Sequence, residues 1–266
     1  MSNDELRMSN GRMKGKTPKK STFGIRNSKL KRSLVVTIDG PAGVGKSTVA
    51  KMVAKRLGLL YLDTGATYRT LAYAALQANL NPITDARRVA ALGRRLPIEL
   101  TYNAQRGLRV RLSGKDITKK IRTEEVTEAA AQVSQEPAVR SAMVALQRCL
   151  ANPRPDPLGR GGHQGVVVEG RDTGSVVFPR ARFKFFLDAD PTVRAKRRQL
   201  EMGHLYGTKP PIIQVEEQLH FRDHLDRNRR VGPLRKPSGA VTIDTTHLTI
   251  PQVVRAMLER IAQRSG

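Results

Sequence analysis

The sequence predicts an α/β fold in which a parallel sheet is covered by helices and carries an inserted α+β block. Short apolar strands alternate with helical segments from residue 34 onward, which is typical of parallel sheets. Between about residues 93 and 152 this pattern is replaced by segments in which apolar and polar residues alternate, followed by two helical segments. Hydrophobic residues make up 39% of the 266-residue chain, enough for a sizeable core.

Local sequence patterns predict the strands and helices of the first half of the chain. "LVVTI" (34–38) is apolar and β-branched, which predicts a strand, and a helix is expected over 48–57. Helical spacing recurs in two further segments, 65–80 and 85–96. "IELTYN" and "LRVRLSG" then alternate apolar with polar residues, which predicts a β-hairpin around Asn103–Gly107, and "DIT" extends it weakly.

In the second half, "TEEV" (123–126) is a helix-capping pattern, and Pro137 suits the first turn of a helix ending near Leu150. "VVVEG" and "FKFFLDA" resume the buried strands. Helices are expected over 191–202 and 211–230, separated by 203–210. A last strand, "AVTIDT", and a helix over 249–263 complete the pattern.

These segments predict a division of the chain into four parts. Residues 1–33, with ten Lys/Arg and two acidic residues, are expected to be a disordered basic tail. Residues 34–92 and 166–266 form the core, 93–152 an inserted lobe, and 153–165 a proline- and glycine-rich linker.

The formal net charge of +25 is extreme and is not confined to the tail. Such a field favours phosphate-bearing partners, either nucleotides or nucleic acid. Adaptation to a salty cytoplasm or compositional drift are alternative explanations. Aromatic residues are only 4% and Trp is absent, which argues against base-stacking platforms. For the tail, solvated disorder is favoured over a grip on RNA.

The single cysteine, Cys149, excludes a disulfide framework and a Cys-based metal site. Its helical neighbours favour a buried thiol. No apolar run approaches the roughly 20 residues of a membrane span, and no apolar signal-peptide core follows the start. We therefore expect a soluble, cytoplasmic protein.

Residues 40–47, "GPAGVGKS", match the pattern G-x-x-x-x-G-K-[ST] in full, with a strand before and a helix after. The glycines let backbone N–H groups curl around phosphate oxygens, and the helix N-terminus adds a positive dipole end. Lys46 suits the β- and γ-phosphates, and the Ser47 hydroxyl suits Mg²⁺. The stretch therefore predicts a site for a nucleoside triphosphate.

The remainder of the chain limits the classes of nucleotide-binding protein to which the sequence could belong. A GTPase would need a base-reading Asn-Lys-x-Asp, which is absent, and a motor ATPase or helicase would need more length. A small kinase remains. Four further stretches have chemical character: "LDTGATYR" (62–69), "EGRDTGSVVFP" (169–179), "RDHLDRNR" (222–229) and the arginines 194, 197 and 198. For the last two, a solvated basic face and i,i+4 ion pairs are the competing interpretations.

These stretches, together with "IRTEEV", "FFLDAD" and "DRNRRVGPL", resemble bacterial cytidylate kinases, the (d)CMP kinases of the nucleoside monophosphate kinase group. The likeness runs in order from about residue 34 to 263 and excludes the basic tail. It implies that ATP, with Mg²⁺, phosphorylates CMP or dCMP. It also implies that the inserted lobe binds the monophosphate and that the segment at about 194–210 is a short lid. We expect a monomer.

The resemblance also implies roles for individual residues. It places ATP on the phosphate-binding loop and two lid arginines: Gly40, Pro41, Ala42, Gly43, Val44, Gly45, Lys46, Ser47, Thr48, Arg194 and Arg198. It places CMP on the other stretches: Thr64, Arg69, Arg140, Arg171, Asp172, Arg222, Asp226 and Arg229. Among these, Lys46, Arg171 and Arg229 are the expected catalytic groups, and Ser47 is the metal ligand.

Base recognition is expected from Asp172 and Arg140, because a carboxylate accepts from the cytosine amino group and a guanidinium donates to the ring acceptors. Uracil presents the opposite pattern, with the acceptor O4 where cytosine has its amino donor. The sequence has Ala131 where the family often has a serine that contacts cytosine, and Ser134 would need a shift of the helix to replace it. Asp39 or Glu169 is expected to order metal-bound water. A UMP or small-metabolite kinase and an RNA-binding P-loop protein remain the alternatives.

Overall fold

The computed structural model describes residues 34–103, 105, 107–152 and 165–264. The predicted tail and residues 153–164 of the predicted linker lie outside the described residues. The main elements in chain order are β1 (Leu34–Asp39), α1 (Lys46–Leu57), β2 (Leu60–Asp63), α2 (Thr64–Gln77), α3 (Ala86–Arg94), β3 (Ile98–Asn103), β4 (Gly107–Leu112), β5 (Lys115–Asp116), α4 (Glu124–Val133), α5 (Pro137–Ala151), β6 (Gly165–Gly170), β7 (Phe183–Asp188), α6 (Pro191–Tyr206), α7 (Ile212–Asn228), β8 (Val241–Asp244) and α8 (Ile250–Gln263).

The core is a five-stranded sheet in the order β2-β6-β1-β7-β8, and every neighbouring pair is parallel, as the alternating pattern predicts. All six residues of β6 are buried. Val166 and Val168 pack with Ala151 of α5, whereas Val167 between them belongs to the larger core that includes residues of α1 and α8. Helices therefore cover both faces, which explains the unbroken apolar run in this strand.

The segment between α3 and β6 contains the predicted hairpin. Strands β3 and β4 pair antiparallel with Ile98 opposite Leu112, and the short β5 adds a third strand. Helix α4 begins after Thr123, whose hydroxyl accepts from the Val126 N–H as the capping pattern predicts. Helix α5 begins at Pro137 and packs against both α3 and the sheet.

Several boundaries differ from the sequence-based expectations. Helix α1 begins at Lys46, two residues early, and β6 begins at Gly165, inside the predicted linker. The predicted break from residue 203 is wrong, because α6 continues through Gly203 to Tyr206. The Lys209 side chain of the following loop lies 3.1 Å from the position that a Cβ of residue 203 would take. The predicted burial of Cys149 is also wrong, since the residue is exposed.

One element has no counterpart in the sequence-based predictions. A short π-helical turn spans Thr173–Val177, immediately after Arg171 and Asp172. None of the helices in the described part of the chain is long and apolar enough to span a bilayer.

Gly40 directly follows β1 with a φ of +148°, and a Cβ there would lie 2.1 Å from the carbonyl oxygen of Leu187 in β7. We predict that Gly40→Ala lowers the free energy of unfolding by about 2 kcal/mol or more, since sheet backbone would have to move. Gly58→Ala is the control, because Gly58 has a φ of +66° but open space around it. Its cost should be about 1 kcal/mol. Equal losses in urea denaturation would contradict the close-approach argument.

Candidate active site

The loop between β1 and α1 has the backbone conformation that its glycines predict. Gly40, Gly43 and Gly45 all have positive φ, and a Cβ on Gly43 would lie 2.7 Å from the carbonyl oxygen of Arg194. Helix α1 starts without a side-chain cap at Gly45. Uncapped N–H groups at a helix N-terminus, together with its dipole, favour binding of an anion such as phosphate.

Lys46 is buried at the base of this loop, and its ammonium donates to the carbonyl of Pro41. Burial lowers the pKa of Lys46 well below its usual range, and the charges of Arg171 and Arg222 lower it further. Glu169 and Asp226 act in the opposite direction. The lysine of the loop is therefore within electrostatic reach of side chains from β6 and α7, which lie more than 120 residues away in sequence.

Ser47 lies beside a buried carboxylate. Its hydroxyl donates to Glu169 at 2.9 Å, and the Tyr61 hydroxyl donates to the other Glu169 oxygen at 2.5 Å. Burial raises the pKa of Glu169, and the charge of Asp63 raises it further. A hydroxyl and a carboxylate side by side are the oxygen ligands that Mg²⁺ prefers, and this ion usually keeps several waters and takes substrate phosphates as further ligands. These residues therefore fit Mg²⁺.

Within the described residues no cluster of three His, Cys, Asp or Glu side chains could hold a metal ion alone. Asp39 does not share the position of Glu169. Its two oxygens accept hydrogen bonds from Thr173 and Gly174 at 2.7–2.8 Å, so Glu169 is the better placed of the two predicted carboxylates.

The predicted acceptor-side arginines converge on one cleft, and most are held by carboxylates. Arg69 pairs with Asp63 at 2.9 Å, and Arg171 pairs with Asp226 at 2.8 Å. Arg229 lies 3.3 Å from Asp226 and donates to the Gly232 carbonyl at 2.5 Å.

Two other predicted acceptor-side residues complete this wall of the cleft. Burial and the charge of Arg171 lower the pKa of Arg222 to about 10, which marks a concentration of positive charge. Thr64 lies at the start of α2, and its hydroxyl donates to the Glu169 carbonyl at 2.7 Å. The cleft therefore carries positive charge suited to an anion beside these arginines, its acceptor side, as well as at the phosphate-binding loop.

Asp172 and Arg140, the predicted base readers, form an ion pair with each other. Arg140 is only 1% exposed and also donates to the Ser134 carbonyl at 3.2 Å. Asp172 lines the cleft, whereas Arg140 lies behind it. Ala131 lines the cleft as well, and the Ser134 hydroxyl is engaged with the Ala131 carbonyl at 2.8 Å, so it does not replace the missing serine.

The predicted lid arginines take three different positions. Arg194 is buried beneath the phosphate-binding loop, where it donates to Asp223 at 2.5 Å and to the Ala42 carbonyl at 3.3 Å. Arg197 donates to Thr245, and Arg198 pairs with Glu201 at 2.9 Å. Arg197 and Arg198 line the cleft and Arg194 does not.

The cleft has a volume of about 550 Å³. The predicted residues that line it are Ala42, Gly43, Gly45, Lys46, Ser47, Thr48, Thr64, Arg69, Arg171, Asp172, Arg198, Arg222, Asp226 and Arg229. Sequence reasoning assigned no role to Lys51, Tyr68 or Arg122, which also line it. Lys51 and Tyr68 lie one helical turn beyond Ser47 and Thr64, so helical spacing from those residues would have found them.

A phosphate-binding loop and a facing group of arginines at one end of a parallel sheet define a P-loop kinase, an enzyme that transfers phosphate between two bound anions. Comparison with known proteins makes the assignment more specific. The family model described as "Cytidylate kinase" matches residues 36–263, and the chain belongs to that family.

Relatives named cytidylate kinase match most of the chain. The protein of Geobacillus sp. (strain WCH70) is 42% identical over 237 residues, covering 89% of this chain and all of that protein. The Desulfitobacterium hafniense protein is 40% identical over 229 residues, covering 86% and 93%. The Mycobacterium leprae protein is 42% identical over 234 residues, covering 88% and 97%.

Asp226 supports a prediction about acid stability. Burial raises its pKa, but the charges of Arg171, Arg229 and Arg222 outweigh burial, and its net pKa lies below the unfolded value of 3.8. Such a carboxyl stabilises the fold fully above pH 3.8 and loses its contribution as the pH falls through the folded-state value. We expect Asp226→Asn to cost about 3 kcal/mol of unfolding free energy at pH 5.

The cost of Asp226→Asn should shrink at pH 3, because below 3.8 the unfolded chain binds a proton at Asp226 that the folded, ion-paired carboxylate resists. Urea denaturation at both pH values measures it. Glu99→Gln, at an exposed carboxyl on β3, is the control and should change little. A cost for Asp226→Asn that is the same or larger at pH 3 contradicts the pairing argument.

Proposed function

We propose that this enzyme transfers the γ-phosphate of ATP to CMP or dCMP, giving ADP and CDP or dCDP. The observation that carries the proposal is that the phosphate-binding loop, Arg171 and Arg222 line one cleft. Membership of the cytidylate kinase family supports the same substrates.

On the donor side, the loop N–H groups and Lys46 hold the phosphates of ATP. The lowered pKa of Lys46 reflects burial among other cations, so an arriving polyanion restores a favourable environment for the charged ammonium. Ser47 and Glu169 would hold Mg²⁺, which supplies neutralising charge to the transferring phosphate when it is bound. Arg198 and Arg197 extend this positive wall from α6.

On the acceptor side, Arg69, Arg171, Arg222 and Arg229 bind the monophosphate. A guanidinium grips phosphate through two parallel hydrogen bonds and keeps its charge. The acceptor oxygen attacks the γ-phosphorus, a new P–O bond forms, and the bond to the β-phosphate oxygen of ATP breaks. The acceptor phosphate is already a dianion, so no strong base is needed and catalysis rests on in-line positioning and charge neutralisation.

For the base, Asp172 accepts a hydrogen bond from the cytosine amino group. Arg140, behind the cleft, pairs with Asp172 and so orients this carboxylate towards the base. The Asp226 carboxylate contacts the ribose. Ala131 puts no hydroxyl at the position where the family often has a serine, so Asp172, held by Arg140, carries most of the base selectivity.

Steady-state kinetics with CMP, dCMP, UMP, AMP and GMP test the proposal through coupled detection of ADP. We expect kcat/KM for CMP and dCMP to exceed that for UMP by about tenfold or more, since uracil leaves a buried polar group unpaired. Lys46→Ala should abolish turnover. Equal turnover of all five, or none with CMP, overturns the proposal. Salt-sensitive RNA affinity that survives Lys46→Ala, without CMP-dependent ADP release, would favour the RNA-binding alternative.

Asp172→Asn tests base recognition separately from phosphate binding. The amide keeps the size of the side chain but presents a donor as well as an acceptor, so uracil is no longer disfavoured. We expect the ratio of kcat/KM for CMP to that for UMP to fall by about tenfold. Asp85→Asn, at an acidic residue outside the cleft, should leave the ratio unchanged. An unaltered ratio in Asp172→Asn would remove this residue from base recognition.

A further inference from the structure

The π-turn Thr173–Val177 directly follows Arg171 and Asp172, two residues of the proposed acceptor site. Its hydrogen bonds span five residues: the Val177 N–H donates to the Asp172 carbonyl at 3.2 Å, and the Phe178 N–H donates to the Thr173 carbonyl at 2.7 Å. Single π-helical turns are rare and recur at functional sites, where they set the direction of neighbouring side chains. The contacts that hold this turn in place therefore affect the positions of Arg171 and Asp172 in the acceptor site.

The first residues of the turn are fixed by Asp39, the last residue of β1. Its fully buried carboxylate accepts from the Thr173 N–H at 2.7 Å, the Thr173 hydroxyl at 2.8 Å and the Gly174 N–H at 2.7 Å. A buried carboxylate is tolerated when its oxygens are satisfied in this way. Because Asp39 immediately precedes Gly40, this end of the turn is joined to the phosphate-binding loop.

The last residues of the turn are held by Arg148 of α5. Its guanidinium donates through Nε to the Val177 carbonyl and through Nη2 to the Val176 carbonyl, both at 2.9 Å. Two nitrogens of one planar group on two successive carbonyls make a rigid contact. Arg148 is an exposed residue and does not line the cleft.

Helix α5 thus touches the same short segment twice. Arg140, two turns before Arg148, pairs with Asp172 in front of the turn, and Arg148 holds the carbonyls at its far end. Displacement of α5 relative to the sheet would therefore be transmitted to both ends of residues 172–177. Asp39 fixes Thr173 and Gly174 to β1, whereas the Val176 and Val177 N–H groups donate to the Asp172 carbonyl at 2.8 and 3.2 Å. The residues that Arg148 holds are therefore bonded directly to Asp172.

We propose that Arg148 is a positioning residue for the acceptor nucleotide, acting through the π-turn on Arg171 and Asp172. The inference rests on the proposed function. It assigns Arg148 no contact with either substrate. Loss of the guanidinium frees two carbonyls and lets the turn shift, which displaces the acceptor-side groups while the phosphate-binding loop stays in place. Misplacement of a substrate-positioning group by about 1 Å can cost as much as a hundredfold in rate.

The test is Arg148→Gln, with Arg148→Lys and Arg109→Gln as companions. Arg109 is an exposed arginine on β4 with an ion pair to Asp116, so its variant controls for removal of one exposed positive charge. We expect Arg148→Gln to raise KM for CMP by about tenfold, as loss of two hydrogen bonds from a charged donor implies. KM for ATP should stay within about twofold, and the ratio of kcat/KM for CMP to that for UMP should fall.

Arg148→Lys should lie between wild type and Arg148→Gln, because an ammonium is a single donor group where the guanidinium presents a two-pronged fork. Thermal unfolding reports whether each variant is folded, and Arg148→Lys decides by the same criteria if Arg148→Gln does not fold. An unchanged KM for CMP, equal rises in KM for ATP and CMP, or the same effect from Arg109→Gln overturns the inference. Absence of CMP-dependent ADP release in the wild type would instead overturn the proposed function.

Discussion

The cleft depends on one electrostatic constraint: most of the guanidinium groups that are largely removed from water are matched by carboxylates. Arg171, Arg229 and Arg69 meet Asp226, Asp172 and Asp63 at 2.8–3.4 Å. An unpaired buried charge is strongly destabilising, so these acids make it feasible to concentrate several arginines in one place. An incoming phosphate competes with the same carboxylates for the guanidiniums. The acids therefore hold the arginines in place and also limit how tightly the acceptor binds.

The order of the parallel strands brings these charges together. Strands β1 and β6 are neighbours in register, with Asp39 opposite Gly170, so the phosphate-binding loop and the segment beginning at Arg171 leave the sheet side by side. The ends of β2 and β6 are likewise adjacent, with Asp63 opposite Glu169. Segments more than a hundred residues apart in sequence thus reach one edge of the sheet, which is where ligands bind in such folds.

The sequence predicted the features whose physical cause is local. The phosphate-binding loop needs glycines at positive φ, and the buried strands need β-branched runs. It did not predict the π-turn, because that turn depends on Asp39 and Arg148, which lie far from it in sequence. The pairing of Arg194 with Asp223 was missed for the same reason. Helical spacing placed Cys149 on a helix but could not show which face of α5 is covered. A break is predicted from residue 203, whereas α6 continues to Tyr206.

The charge of the cleft agrees with two phosphorylated ligands rather than one. Its lining carries nine basic and five acidic side chains, an excess of four positive charges. A nucleoside monophosphate carries a charge of about −2 near neutral pH, and ATP with its Mg²⁺ carries about −2 as well. A site for ATP alone would need only half of this excess. The four arginines Arg69, Arg171, Arg222 and Arg229 are balanced by four lining carboxylates of the same segments, so the surplus lies on the remaining basic residues of the cleft. A phosphate on the acceptor side therefore gains positive charge by competing with those carboxylates for the guanidiniums.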